Sequence, residues 1–66
     1  MTDPEHLARL KQGVKAWNTW REGNPNILPN LKGADLSKGN LKGAFLARTN
    51  LEQASLERVD LEMAIL

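Results

Sequence analysis

The sequence predicts a mainly β fold, a short solenoid closed at one end by a single N-terminal α-helix. In the second half of the chain leucine recurs at every fifth position. Most of these leucines follow a polar residue. In the first third, apolar residues instead recur three and four positions apart, as on one face of an α-helix. A chain of 66 residues is expected to form one domain.

The N-terminal helix is predicted to span residues 4–23. Asp3 is a good N-cap and Pro4 suits the first helical position. Gly23, followed by Pro25, is expected to end the helix. One face carries the apolar residues Leu7, Leu10, Val14, Trp17 and Trp20. We expect this face to cover the first coil of the solenoid as a lid.

The residues that join this helix to the solenoid complete the predicted cap. Residues 24–30 are interpreted as a connector in which Ile27 and Leu28 seal the junction. Trp17 and Trp20 are interpreted as part of the lid, because aromatic residues at helical spacing usually belong to a core. Gly13 is expected to mark a close approach of the helix to the coil below it.

Residues 31–66 form the predicted solenoid, and its leucines are Leu31, Leu36, Leu41, Leu46, Leu51, Leu56, Leu61 and Leu66. A five-residue step advances roughly 140° around an α-helix and changes face on a strand, so neither element gathers these leucines on one side. The chain must therefore turn within every repeat. The residue two before each leucine, usually small, shares its inward face, and the polar residue between them faces solvent. The two remaining positions, rich in Gly, Ser and charge, are predicted corners.

These repeats resemble the pentapeptide-repeat family. The resemblance is carried by Ala34-Asp35-Leu36-Ser37-Lys38, Gly39-Asn40-Leu41-Lys42-Gly43 and Ala54-Ser55-Leu56-Glu57-Arg58, and it covers residues 29–66. The family motif is a small residue, Asp or Asn, Leu, and two variable residues. The segment from Leu10 to Asn30 is also similar to a leader that precedes the repeats in some bacterial members.

The resemblance implies a right-handed quadrilateral β-helix in which four pentapeptides form one coil of 20 residues. The chain then contains about two coils, and residues 20 apart stack vertically. In that register Lys32 meets Glu52 and Lys42 meets Glu62. Two favourable charge pairs therefore support the register, against the unfavourable stacking of Lys38 on Arg58.

The sequence offers little for catalysis. His6 is the only histidine, it is expected to be exposed in the first helical turn, and the chain has no cysteine. Neither Ser37 nor Ser55 has a neighbouring base that would activate it. We therefore predict no enzyme activity, no cofactor, no metal site and no small-molecule substrate. The absence of a long apolar run and of a secretory signal pattern leads us to expect a cytoplasmic protein without membrane attachment.

The C-terminal coil is the predicted site of function. The sequence ends at Leu66, so the last coil is expected to expose strand edges and an apolar floor. The outward position is apolar at Phe45 and Ile65, which lie 20 apart, and Met63 is expected nearby. The candidate protein-interaction residues are thus Phe45, Met63, Ile65 and Leu66. The leading hypothesis is a non-catalytic module that self-associates, or docks on a protein partner, through this coil. The resemblance implies such end-to-end dimers in some members.

Two alternatives remain open. The resemblance implies that some long members bind DNA gyrase as acidic mimics of DNA. Here residues 1–48 contain eight basic and four acidic residues, a net charge of +4, whereas residues 49–66 contain one basic and four acidic residues, a net charge of −3. Two coils also span only about 10 Å, which makes gyrase binding the weaker hypothesis. The other alternative is weak nucleic-acid binding through the basic N-terminal portion. It is disfavoured because corner lysines usually serve solubility.

Overall fold

The computed structural model describes all of residues 1–66 and contains two N-terminal α-helices, α1 (Pro4–Lys11) and α2 (Val14–Gly23). The prediction of one continuous helix over residues 4–23 is therefore wrong. The chain bends at Gly13, whose φ of 122° and ψ of 159° are rarely adopted by residues with a side chain. A Cβ built at Gly13 would have nothing within 4 Å. Gly13 thus permits the bend, and the expected close approach to the coil is absent.

The outer ends of the helical region agree with the sequence prediction. The Asp3 carboxylate accepts hydrogen bonds from the N–H groups of Glu5 and His6 at 2.9 and 3.4 Å, as an N-cap does. Helix α2 ends at Gly23. Helix α2 begins after Gly13, which is its N-cap residue. Because glycine has no side chain, no side-chain hydrogen bond caps this helix.

The repeats stack with a 20-residue period, through isolated bridges and without a continuous strand. Four parallel bridges join outward residues, namely Asn30 to Asn50, Asp35 to Ser55, Asn40 to Asp60, and Phe45 to Ile65. We name residues 30–49 the first coil and residues 50–66 the second coil. Each five-residue repeat contains a two-residue turn, so too few residues remain between corners to form a strand. The expected mainly β fold is present only as these pairings.

Every corner depends on a residue with positive φ. The second turn residue has φ of 74° at Gly33 and Gly43 and 58–62° in the other five turns. Those five are Lys38, Arg48, Gln53, Arg58 and Met63. Each turn closes with a hydrogen bond of 2.9–3.2 Å from the following N–H to the carbonyl of the repeat leucine. The corners are therefore β-turns that need a left-handed residue at their third position.

The outward Asn and Asp side chains brace these corners. A side-chain oxygen of each accepts the N–H two residues later, at 3.0–3.1 Å. The residues that do so are Asn30, Asp35, Asn40, Asn50 and Asp60. This arrangement is an Asx-turn, which a hydrophobic residue cannot make. Polarity at this position thus supports the turn as well as solvation.

The core is centred on the first coil. All four of its leucines, Leu31, Leu36, Leu41 and Leu46, are buried together with Ala34 and Ala44. In the second coil Leu51 and Leu61 are only half-buried, and Leu56 and Leu66 are exposed. The first coil lies between the helices and the second coil, whereas the second coil is covered on one side only.

The helices form the predicted lid. Trp17 is fully buried in the same cluster as Leu10 and the leucines of the first coil, and its Nε1 donates to the Phe45 carbonyl at 2.8 Å. Trp20 is half-buried and packs against Trp17, with ring centroids 5.2 Å apart and the ring planes inclined at 52°. The two tryptophans therefore act in the lid, in agreement with the sequence interpretation.

Two other expectations about the cap are wrong. The His6 side chain is only 16% exposed, because its Nδ1 accepts the N–H of Asn30 at 3.0 Å. In the connector, Ile27 and Leu28 are exposed, at 37% and 60%, and do not seal the junction. Pro29 is fully buried instead. At the start of the first coil the backbone is oriented so that Pro29 faces the core, whereas Ile27 and Leu28 face solvent.

Helix α2 also occupies the upper edge of the first coil. The Asn18 side chain donates from Nδ2 to the Gly43 carbonyl at 3.0 Å and accepts the Phe45 N–H at 2.8 Å. Arg21 donates to the Ala47 carbonyl at 2.8 Å, and burial, followed by repulsion from Arg48, lowers its pKa. These side chains take the place that a preceding coil would occupy. They satisfy main-chain groups that the first coil would otherwise leave unpaired.

The corner geometry predicts opposite effects for two exchanges at the same turn position. Gly33→Ala should lower the free energy of unfolding by about 1 kcal/mol, because Ala is strained at positive φ. Lys38→Gly should raise it by about 0.5 kcal/mol, because relief of the left-handed strain exceeds the added entropy of the unfolded chain. Urea unfolding followed by tryptophan fluorescence measures both. Equal destabilisation by both substitutions would contradict the role given to the corners.

The contacts of Asn18 predict that its side-chain amide stabilises the cap. Asn18→Leu should lower the free energy of unfolding by about 1–3 kcal/mol, because it leaves the Phe45 N–H and the Gly43 carbonyl without partners. Thr19→Ala, at an exposed position of the same helix, is the matched control and should change little. Thermal unfolding of the two variants gives the comparison. Similar midpoints would show that the amide contributes nothing.

Candidate protein-interaction site

An apolar groove lies beside the second coil. Its volume is about 780 Å³, and Phe45, Met63 and Ile65 line it together with Gly13 and Val14 at the start of α2. The structure therefore brings together three of the four residues named from the sequence. The N-terminus of α2 lines the opposite side, and the five-residue pattern gave no indication of this.

The four candidate residues differ in exposure. Met63 and Ile65 are 78% and 53% exposed. Phe45 is half-buried, because α2 holds its main chain on both sides. Leu66 is 76% exposed but does not line the groove. It belongs instead to the leucine column below the first coil.

Polar groups border this groove. Asn40 and Lys42 are among the lining residues, and the Lys42 Nζ lies 3.7 Å from the Glu62 Oε1. An apolar centre with a polar border is the usual arrangement of a protein-interaction surface. The groove also opens next to the last turns of the second coil, so a partner seated there would reach the edge of that coil.

The second coil has a lower edge of main-chain groups without partners. Its N–H donors are those of Leu51, Gln53, Leu56, Arg58, Leu61, Met63 and Leu66, and none has a hydrogen-bond acceptor in the structure. The equivalent N–H groups 20 residues earlier all donate to the second coil, at 2.7–2.9 Å. The lower edge thus repeats the spacing of donors that holds the two coils together.

Acceptors accompany these donors at the lower edge. In the first coil the carbonyls of Ala34, Gly39 and Ala44 accept N–H groups of the second coil at 2.9–3.0 Å. The equivalent carbonyls of Ala54, Val59 and Ala64 have no such partner. The lower edge therefore presents donors and acceptors in the order that parallel pairing requires.

Vertical ion pairs run down two corners, as the 20-residue register predicted. Lys32 Nζ lies 3.3 Å from Glu52 Oε1, and the second pair is the one between Lys42 and Glu62. Each is exposed and contributes well under about 1 kcal/mol to stability. At a third corner the Ser37 hydroxyl and N–H donate to Asp35 and lower the pKa of its carboxyl. The two Lys–Glu pairs therefore mark the register of the coils but add little to the stability of the fold.

No three side chains among His, Cys, Asp and Glu come close enough to hold a metal ion. None of the helices has both the length and the apolar character needed to cross a membrane.

Comparison with known proteins agrees with this architecture. The family model for pentapeptide repeats matches residues 30–66, with eight copies. Neither the curated proteins nor the solved structures gave a match. Because the family model covers more than half of the chain, this chain belongs to the pentapeptide repeat family.

Proposed function

We propose that this chain is a non-catalytic interaction module that pairs edge to edge with another protein through the second coil. A second copy of the chain is the partner present in a pure solution, and self-association is the simplest form of the activity. Membership of the pentapeptide repeat family supports the general part of this proposal, a repeat module for protein interaction.

The lower edge is the observation that carries the proposal. Its seven N–H donors keep the spacing of the seven that bind the second coil to the first. Edges of this kind readily pair with another chain, since the partner supplies the missing acceptors. Two facing lower edges related by a two-fold axis run antiparallel, so the unpaired carbonyls of each copy supply acceptors for part of the donors of the other. The upper edge differs, because Asn18, Arg21 and His6 already bind main-chain groups there. Pairing through the lower edge is therefore favoured over pairing through the capped end.

The apolar groove adds area to this contact. Met63 and Ile65 expose most of their side chains beside the lower edge, and Leu56 and Leu66 expose apolar surface beneath it. Burial of this surface favours association, against the loss of rigid-body and side-chain freedom on binding. Main-chain pairing then provides direction, and the apolar side chains provide most of the free energy.

Self-association should depend on the groove. Sedimentation equilibrium of the wild-type chain should show a concentration-dependent monomer–dimer equilibrium, as expected for a small and weak interface. Phe45→Ser with Ile65→Ser should leave a folded monomer at the same concentrations. If that double variant fails to fold, Met63→Ser with Ile65→Ser tests the same surface at more exposed positions.

A matched control uses exposed apolar residues away from the groove. Ile27→Ser with Leu28→Ser removes a similar apolar pair from the connector and should leave the dimer intact. Circular dichroism and tryptophan emission check that each variant is folded. Dimers that persist in the groove variants, or that are lost equally in the connector variant, would refute the proposal.

A further inference from the structure

We infer that the lower edge of the second coil selects a partner coil with cationic residues at its corners. This inference rests on the proposed function and gives the partner a charge. The residues that carry it are Glu52, Glu57 and Glu62, which begin three successive turns of the second coil. They lie at the level of the unpaired donors, so a partner that pairs with the lower edge meets all three.

The two coils of this protein show how these positions are matched. Directly above the glutamates stand Lys32, Ser37 and Lys42, 20 residues earlier. The Lys32 Nζ approaches Glu52 Oε1 to 3.3 Å, and the Lys42 Nζ approaches Glu62 Oε1 to 3.7 Å. The side chains of Glu52 and Glu62 nevertheless remain 66% exposed. Each column therefore ends at the lower edge on an anion that is still largely in water.

The charge of the partner residues below these glutamates determines whether the partner is attracted or repelled. Paired chains lie about 4.8 Å apart, close enough for corner side chains to interact. A lysine or arginine below Glu52 or Glu62 would continue the alternation of charge, whereas another glutamate would place like charges together. Glu57 lies below the uncharged Ser37 and has no cation above it. A partner cation below Glu57 would therefore be its first vertical partner of opposite charge. The corners of Glu52 and Glu62 thus favour a cationic partner, and Glu57 adds a third anion beside the cation Arg58.

A second copy satisfies this requirement poorly. The second coil contains four acidic residues and one basic residue, Arg58, so two lower edges that face each other bring together coils with a net charge of −3 each. Dilute salt leaves this repulsion largely unscreened, and concentrated salt suppresses it. Self-association therefore proceeds through apolar contact and main-chain pairing, against the charge. The preferred partner is a repeat coil with Lys or Arg at the corners equivalent to Glu52, Glu57 and Glu62.

A charge-inverted copy of this chain is the probe. It combines Lys32→Glu, Glu52→Lys, Lys42→Glu, Glu62→Lys and Glu57→Lys, which keeps both vertical ion pairs and reverses the three corners of the lower edge. Wild-type chain, inverted chain and their equimolar mixture are compared by sedimentation equilibrium. In about 20 mM salt the mixed pair should have a Kd about tenfold lower than the wild-type homodimer. Near 1 M salt, where the Debye length is about 3 Å, the difference should largely disappear.

Two further variants keep the test decisive. Glu22→Lys raises the net charge by the same two units as the inverted chain, at an exposed position of α2 without an ion pair, and should not tighten the mixture with wild type. Glu57→Lys alone breaks no vertical pair and replaces the inverted chain if that chain fails to fold. A mixed Kd equal to that of the wild-type homodimer at low salt overturns this inference and leaves the proposed function standing. Monomers in every sample at both salt concentrations overturn both.

Discussion

The structure depends on one constraint, a residue with positive φ at every fifth position of the repeats. These corners direct the leucines inward, because each turn brings the next short segment around the same core. They also set the 20-residue period, since four turns return the chain to a place directly below its starting point. The Asx-turns of residues such as Asn40 brace the corners, and the turn hydrogen bonds close on the leucine carbonyls. Core, outer surface and coil pairing therefore follow from the same backbone geometry.

A stack of this kind has two ends, and this chain treats them differently. At the upper end Trp17 fills the first coil while Asn18 and His6 bind its main chain. At the lower end the N–H groups of the second coil have no acceptors and its leucines lose burial. Helices of 8 and 10 residues thus serve in place of a preceding coil. The main-chain groups without partners therefore lie in the second coil.

The periodic features of the fold could be predicted from the sequence, whereas its local geometry could not. The leucine column, the Lys–Glu columns and the stacking of Phe45 on Ile65 follow from a fixed period and are observed. The bend at Gly13 was missed, because an apolar stripe continues across it and only the backbone angles reveal it. His6 was misplaced, because its acceptor role depends on an N–H 24 residues away. At the candidate site, two features depend on where the backbone lies. They are the contact of the α2 N-terminus with the groove and the N–H groups without partners, and the sequence pattern of side chains predicts neither.

Amide hydrogen exchange tests the central claim, that the lower edge is where this module pairs. In dilute solution the N–H groups of Leu31, Leu36 and Leu41, which are bonded to the second coil, should be protected, while those of Leu51 and Leu56 exchange rapidly. Under conditions in which the chain associates, the second-coil leucine amides should become protected by at least about tenfold. Association that leaves these amides in rapid exchange would contradict the account, because the partner would then be bound elsewhere.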